Sequence, residues 1–215
     1  MPRITKPAAE RREEILNAAA ALFTTKGVTA STMNDILGAV GVAKGTLYYH
    51  FTSKDEILRS LIDRTVAEIA ERAAQAAAAP LPAPERLLAV IAAARVEGEA
   101  AEMIDDLHDA ANTQFHLRSL VSTIRALAPI LVGVIEDGID EGAFTCADPR
   151  TAVEIILTAG SMLTDEGIFT GEADQRPRRM AGTLAAAELL LGAAPGTLAG
   201  PIASATSPAT PEADS

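Results

Sequence analysis

Aromatic residues are scarce in this chain. It has no tryptophan, two tyrosines and five phenylalanines, which together make up 3% of its 215 residues. Apolar residues nevertheless account for 48% of the sequence. A core with so few rings must be filled mainly by alanine and leucine, and such side chains favour closely packed helices over a β-sandwich. We therefore expect an all-α fold.

Cysteine is almost absent too, and Cys146 is the single one. An internal disulfide is therefore impossible, which fits a reducing cytoplasm. No run approaches the roughly 20 apolar residues of a membrane span, and the N-terminal residues lack an apolar signal core. We expect a cytoplasmic protein with no membrane partner.

Lysine is missing from most of the chain, because all four lysines precede residue 55. The net charge is −11, yet residues 1–60 hold eight Lys/Arg against six Asp/Glu. The remainder holds ten basic against twenty-three acidic residues. This segregation suits phosphate binding at the N-terminal end, and the acidic remainder would help to orient the molecule on DNA.

Residues 32–51 have the pattern of two short helices joined by a tight turn. Thr32 is a plausible N-cap, and Asp35 three residues later completes a capping-box pattern. Gly41 follows the last apolar position and suits a left-handed helix end. This arrangement is typical of a DNA-reading helix-turn-helix.

The second of these helices is expected over 44–51, with Leu47 and Phe51 as its apolar anchors. Its other side chains would then face outward, and they include both tyrosines of the chain. One tyrosine could simply cover a small three-helix core. Two tyrosines beside a lysine and a histidine favour contact with phosphates and base edges. The expected DNA contacts are Thr32, Lys44, Gly45, Thr46, Tyr48, Tyr49, His50 and Lys54.

Lys54 lies in the first turn of a long helix that Ser53 and Glu56 are expected to cap. The positive end of the helix dipole disfavours a cation at this position, whereas a phosphate docked there would reverse the effect. We interpret Lys54 as a phosphate contact, with a solvated surface lysine as the alternative.

The segments Gly41–Phe51 and Ser53–Leu58 together resemble the signature of the TetR family of transcriptional regulators. The resemblance implies an N-terminal three-helix helix-turn-helix domain and a C-terminal helical domain for ligand binding and dimerisation, with about nine helices in all. We place the DNA-binding domain at residues 9–69, with its reading motif at 32–51. The second domain would span 70–193, followed by a disordered tail at 194–215.

Helix boundaries follow from apolar spacing, proline and glycine. Outside the reading motif, the expected helices cover 9–26, 53–79, 84–97, 102–116, 118–141, 149–170 and 177–191. Pro129 lies inside the helix at 118–141 and should kink it.

The last two predicted helices are apolar on more than one face. Both could be ordinary core helices. The family resemblance implies instead that they pair with their mates in a four-helix bundle, which makes a homodimer on a palindromic operator of double-stranded DNA. The expected interface residues are Ile156, Ala159, Leu163, Met180, Leu184 and Leu191.

The resemblance also implies a small-molecule effector bound among the middle helices. Candidate contacts are Met103, Leu107, His108, Asn112, Phe115, His116, Arg125 and Met162. Each of these could equally be core or solvated surface. His108 and His116 would lie about 12 Å apart along an unbroken helix. That distance is too great for one metal ion unless the helix breaks, so we expect neither a metal site nor a cofactor.

The sequence is compatible with three functions. The leading hypothesis is a ligand-released transcriptional repressor. An alternative is an effector-independent architectural or division-linked DNA-binding factor on the same fold. A remote alternative is a metal-dependent enzyme using His108 and His116. The sequence has no phosphate-binding glycine loop, nucleophile elbow or metal motif of recognised spacing, so we expect no enzyme.

Overall fold

A computed structural model describes residues 7–96, 101, 103 and 106–200. These residues form eight α-helices and two short 3₁₀ helices, and no strand occurs among them. The all-α expectation is confirmed. The α-helices are α1 Ala8–Lys26, α2 Met33–Val40, α3 Lys44–His50, α4 Lys54–Ala77, α5 Ala83–Ala93, α6 Thr113–Asp140, α7 Pro149–Leu163 and α8 Arg176–Leu191. The 3₁₀ helices are Ala110–Asn112 and Ala173–Gln175.

The chain divides into two compact units. Among the described residues, the first takes in 7–70 together with those between 95 and 123. The second takes in Glu71–Ala94 and residues 124–200. Helices α4 and α6 each contribute to both units.

The core of the first unit is built from the apolar stripes of α1 to α4. Helix α1 packs against α2. The apolar residues of α4 recur at helical spacing and are buried along one face of the helix. The largest fully buried side chains here are Ile15, Leu16, Phe23, Ile36, Leu47, Phe51, Ile57, Leu58, Leu61 and Ile62.

In the second unit α7 packs against α8. One face of α8 is buried at the helical spacing, through Thr183, Leu184, Ala187, Glu188 and Leu191. The positions between them are exposed. Helix α8 therefore has one face in the core and a second, unburied face of small and apolar side chains.

Helix α5 is held in the second unit by ion pairs to the end of α6 and by close packing around Gly138. The Arg86 guanidinium pairs with Asp137 at 2.7 Å and with Glu141 at 2.9 Å. A Cβ atom on Gly138 would lie 2.3 Å from the ring of Phe144. Because that distance is impossible for a real side chain, this packing requires glycine.

The expected helix break near residue 117 is wrong. Helix α6 runs through it from Thr113, and the break occurs earlier, at Asp109. Asp109 adopts φ −58° and ψ 136°, outside the helical region, and its carboxylate accepts the Ala111 amide. The expected start of this helix at residue 102, with its neighbours 104 and 105, lies outside the described residues.

Helix α7 ends at Leu163 rather than at the predicted residue 170. The Thr164 hydroxyl donates to the Gly160 carbonyl at 2.7 Å. The Asp165 carboxylate then accepts the Ile168 amide at 2.9 Å. Both bonds give the backbone an alternative to continued helix, a property of these residue types that the apolar spacing did not reveal.

The tail was expected to be disordered from residue 194, and this is wrong for residues 194–200. Glu188 accepts hydrogen bonds from the amides of Gly196, Leu198 and Ala199, at 2.8 to 3.0 Å. The Leu198 side chain is fully buried. A carboxylate on the preceding helix therefore fixes this segment, despite its low-complexity composition. Residues 201–215 lie outside the described residues.

By length and composition alone α6 could cross a membrane, since an 18-residue window within it has a mean hydropathy of 1.6. The core helix of a soluble protein has the same property. In its second half, Leu127, Leu131, Val134 and Ile135 are buried in the core. Some of the apolar side chains of α6 therefore pack in the core of the protein.

Candidate nucleic-acid interface

The reading motif begins with a complete capping box. The Thr32 hydroxyl accepts the Asp35 amide at 3.2 Å, and the Asp35 carboxylate accepts the Thr32 amide at 2.9 Å. The predicted box is thus confirmed. Gly41 ends α2 at φ 71°, ψ 26°, and its amide donates to the Leu37 carbonyl. This left-handed conformation favours glycine and sets the direction in which α3 leaves the turn.

Helix α3 has one side buried in the core of the first unit and the other side exposed to solvent. Leu47 and Phe51 have no solvent exposure, which confirms their predicted role as anchors. Tyr48 is 41% exposed and Tyr49 is 79% exposed. A ring that is four-fifths exposed contributes little to a core, so the core-covering interpretation does not hold for Tyr49.

The other outward side chains of α3 complete this surface. Lys44 and Gly45 are exposed, whereas Thr46 and His50 are half-buried. The Lys44 ammonium lies 5.7 Å from the centre of the Tyr48 ring. The Tyr49 and His50 rings meet edge to face, 5.0 Å apart. The face therefore presents one cation, three hydroxyl groups and one imidazole, which suit phosphate oxygens and base edges.

An ion pair between Lys26 and Asp35 supports the start of α2. The Lys26 ammonium lies 2.6 Å from the Asp35 carboxylate. Hydrogen bonds from Lys26 and then from Thr32 lower the pKa of Asp35 to about 2. Asp35 is therefore ionised at neutral pH, and one carboxylate holds both the end of α1 and the cap of α2.

Lys54 is tied to the rest of the first unit. Its ammonium donates to the Val28 carbonyl at 2.7 Å and approaches the Thr29 carbonyl at 3.4 Å. Because an ammonium has three donors, one can still reach a phosphate. Contact with DNA stays a prediction for Lys54, and the structure adds a second role, which is to hold the loop between α1 and α2.

The cap of α4 differs in part from its prediction. The Ser53 hydroxyl accepts the Glu56 amide at 3.2 Å, as expected. The Glu56 carboxylate turns instead to Thr52, whose amide and hydroxyl both donate to it at 2.7 Å. These bonds, led by the one from the Thr52 amide, lower the pKa of Glu56. The reciprocal bond has moved one residue towards the N-terminus.

Two residues support the α1–α2 loop within the first unit: Asp106, which the sequence did not single out, and Asn112, which was expected only as an effector contact. The Asp106 carboxylate accepts the amide of Val28. The Asn112 side-chain amide donates to the Thr29 hydroxyl at 3.3 Å and to the Asp106 carbonyl at 2.9 Å. A Cβ on Gly27, which has φ 87°, would lie 3.4 Å from an Asp106 carboxylate oxygen. No local pattern signals a contact between residues nearly eighty positions apart.

Comparison with known proteins identifies the family. The family model described as "Bacterial regulatory proteins, tetR family" matches residues 15–61, and the model described as "Tetracyclin repressor-like, C-terminal domain" matches residues 95–187. The HTH-type transcriptional repressor KstR2 of Rhodococcus jostii (strain RHA1) is 32% identical over 140 residues, which cover 62% of this chain and 68% of that protein. The chain belongs to the TetR family of transcriptional regulators.

Solved structures of the TetR family share the fold. A TetR-family transcriptional regulator from Mesorhizobium loti gives a TM-score of 0.62 at 18% identity, covering 86% of this chain and 98% of its own. A complex of SmeT with triclosan gives 0.56 at 20% identity, covering 82% and 91%. These structures share the fold, whereas the family models and the likeness to KstR2 make the chain a DNA-binding transcriptional regulator rather than an enzyme.

The effector candidates of this TetR-family chain fall in both units. In the first unit Met103, Leu107, Asn112 and His116 are buried, whereas His108 and Phe115 are half-buried. In the second unit Arg125 is exposed and Met162 is half-buried. The Arg59 guanidinium lies 5.8 Å from the centre of the Phe115 ring, within the first unit. Effector contact stays a prediction for all eight residues.

The dimer candidates of this TetR-family chain also differ in exposure. Leu163 is exposed, and Ile156, Ala159 and Met180 are half-buried. Leu184 and Leu191 are 3% and 0% exposed, because they pack within the chain itself. Sequence reasoning gave these two the wrong face of α8. The large apolar residues exposed on α7 and α8 are Ile155, Leu163, Leu189 and Leu190.

Proposed function

We propose that the protein is a homodimeric transcriptional repressor that binds a palindromic operator through α2 and α3. The observation that carries the proposal is the outward face of α3, where Lys44, Tyr48 and Tyr49 stand above the fully buried Leu47. A rigid helix that presents a cation and phenol groups can position itself on phosphates and read base edges. The protein would act in the cytoplasm.

The dimer is argued from the unburied faces of α7 and α8. Leu189 is 84% exposed and Ile155 is 48% exposed, which is costly for large apolar side chains on a free subunit. Small exposed residues precede Leu189 and Leu190 on α8 at helical spacing and would let a partner helix approach closely. They are Ala181, Gly182, Ala185 and Ala186. A two-fold dimer would place two reading helices about 34 Å apart, in successive major grooves.

Release by a small molecule is part of the same proposal. Its support is the C-terminal domain model matched over residues 95–187 and the likeness to SmeT, which was solved with triclosan. A ligand can release DNA only by binding the non-DNA-binding conformation more tightly than the DNA-binding one.

The test is a quantitative gel shift of the full chain on the DNA upstream of its own gene. Lys44→Ala should weaken binding and reduce the slope of log affinity against log salt by about 0.9, because one phosphate contact is lost. Tyr49→Ala should weaken binding without a comparable change in slope. Arg150→Ala removes a cation of α7 that is 78% exposed and should change neither.

Unchanged affinity in both Lys44→Ala and Tyr49→Ala would reject the assignment of α3 as the reading helix. A loss that is equal in Arg150→Ala would point to a nonspecific effect of net charge.

A further inference from the structure

Two of the three histidines in this chain are in ring contact. His108 lies in the turn after Asp106, and His116 lies in the first turns of α6. Their ring centres are 4.8 Å apart and the ring planes meet at 87°. His116 is 7% exposed, whereas His108 is half-buried.

The contact exists because the helix breaks between the two residues. The Asp109 carboxylate accepts the Ala111 amide at 3.1 Å, and the Asp109 carbonyl accepts the Asn112 amide at 2.8 Å. In an unbroken helix the same residues would be about 12 Å apart along the axis. The break at Asp109 therefore removes the objection that the sequence raised against a shared ligand.

We propose that His108 and His116 together bind a divalent transition-metal ion. Neutral imidazole is the commonest protein ligand for zinc and also suits nickel and copper. The ligand nitrogens of the pair lie within 4.8 Å of each other. A tetrahedral ion with bonds of about 2.0–2.1 Å needs them about 3.3 Å apart. Binding would therefore require the half-buried His108 ring to rotate towards His116.

Imidazoles are the donors assigned here, because nearby carboxylates of the first unit have other partners. Asp106 accepts the Val28 amide, and Asp109 accepts the Ala111 amide. Water would complete the coordination of the ion. An edge-to-face pair of rings is also favourable without any ion, so the test must separate ring packing from coordination.

The test uses the untagged full chain, stripped with a chelator and carrying Cys146→Ser throughout, so that no thiol competes for metal. Cobalt(II) alone is titrated and followed by its visible absorption and by calorimetry. We expect one ion per chain in the parent, and affinity at least about tenfold weaker in His108→Ala, since even outer-shell changes cost 10–100-fold. His50→Ala removes the third histidine and should bind cobalt(II) with the affinity of the parent.

A rescue variant keeps the test decisive if His108→Ala fails to fold. His108→Cys retains a donor and should bind cobalt with a thiolate-to-cobalt absorption band in the near ultraviolet. Absence of binding in the parent, equal affinity in His108→Ala and the parent, or absence of the thiolate band in His108→Cys would each overturn the proposal. Because these titrations contain no DNA, their outcome is independent of the gel shift.

Discussion

The Asp106 carboxylate accepts a hydrogen bond from the backbone amide of Val28, although 78 positions separate the two residues. Val28 is 1% exposed, so water cannot replace the carboxylate as a partner of this amide. The turn that leads from α1 into the reading motif is therefore fixed by a residue outside the N-terminal helices, within the same compact unit.

Removal of this carboxylate should destabilise the first unit. Asp106→Ala leaves the buried Val28 amide without its acceptor, and we expect the free energy of unfolding to fall by about 1–3 kcal/mol. Asp106→Asn keeps a carbonyl oxygen as an acceptor and should lower the free energy of unfolding by less. The measurement is urea denaturation.

Asp63→Ala is the matched control for this prediction, because it breaks an exposed ion pair with Arg118 of 3.0 Å. Such pairs contribute roughly 0–1 kcal/mol. An equal loss in Asp106→Ala and Asp63→Ala would mean that the Val28 bond contributes nothing beyond a surface contact.

The stability contributed by Asp35 should depend on pH. Hydrogen bonds from Lys26 and Thr32 lower the pKa of its carboxyl to about 2, against about 3.9 in an unfolded chain. A lowered pKa means that the contribution is complete above pH 4 and is lost as pH falls from about 4 towards 2. The difference in free energy of unfolding between the natural chain and Asp35→Asn should therefore narrow over that interval.

Lys26→Met provides the internal check on this pH dependence, because it removes the largest cause of the lowered pKa. In that background the Asp35 carboxyl should titrate closer to its ordinary value, as followed by its carboxyl carbon in NMR. A pH-independent difference between the natural chain and Asp35→Asn would contradict the prediction.

Local signals were sufficient for the reading motif. Thr32, Asp35 and Gly41 act through bonds to residues three or four positions away, and the buried Leu47 and Phe51 lie one helical turn apart. The chemistry of each position is therefore contained in its immediate sequence. The family resemblance added the role of this motif, which propensity and spacing cannot supply.

The errors in helix ends and in the tail share a different cause, which is hydrogen bonding of carboxylates to backbone amides. Asp109 interrupts a helix that apolar spacing alone would continue, and Asp165 helps to direct the chain after α7. Glu188 orders residues that composition marks as disordered. In each case a carboxylate binds a backbone amide, and sequence alone does not show whether a given carboxylate will do so.

Glu188 gives a third prediction. The amides of Ala199, Gly196 and Leu198 lower the pKa of its carboxyl by stabilising the ionised form. Glu188→Gln loses the charge and one acceptor oxygen, so hydrogen exchange at these three amides should accelerate by about tenfold or more. In the natural chain the protection should be complete above the ordinary pKa of about 4.3 and decline as pH falls through the lower folded value.

Glu154→Gln is the control for hydrogen exchange, because its carboxylate lies on the surface of α7 near Arg150 at 3.3 Å. It should leave exchange at residues 196–199 unchanged. Equal protection in Glu188→Gln and the natural chain would show that burial of Leu198, and not the carboxylate, holds this segment.

The exposed face of α8 gives the last prediction. Leu189→Arg places a charge where we propose that a second copy of the chain packs, on a side chain that is 84% exposed in the free subunit. Burying a leucine contributes about 1.5–3 kcal/mol, and a two-fold interface contains the residue twice, so the dimer dissociation constant should rise by at least about a hundredfold. Leu81→Arg changes a leucine that is 43% exposed between α4 and α5 and should leave the dimer intact. Sedimentation equilibrium at micromolar concentration distinguishes the two. We expect the mass of a dimer for Leu81→Arg and the mass of one chain for Leu189→Arg. If both variants sediment as dimers, α8 does not form the interface, and the two-fold reading of a palindromic operator loses its structural basis.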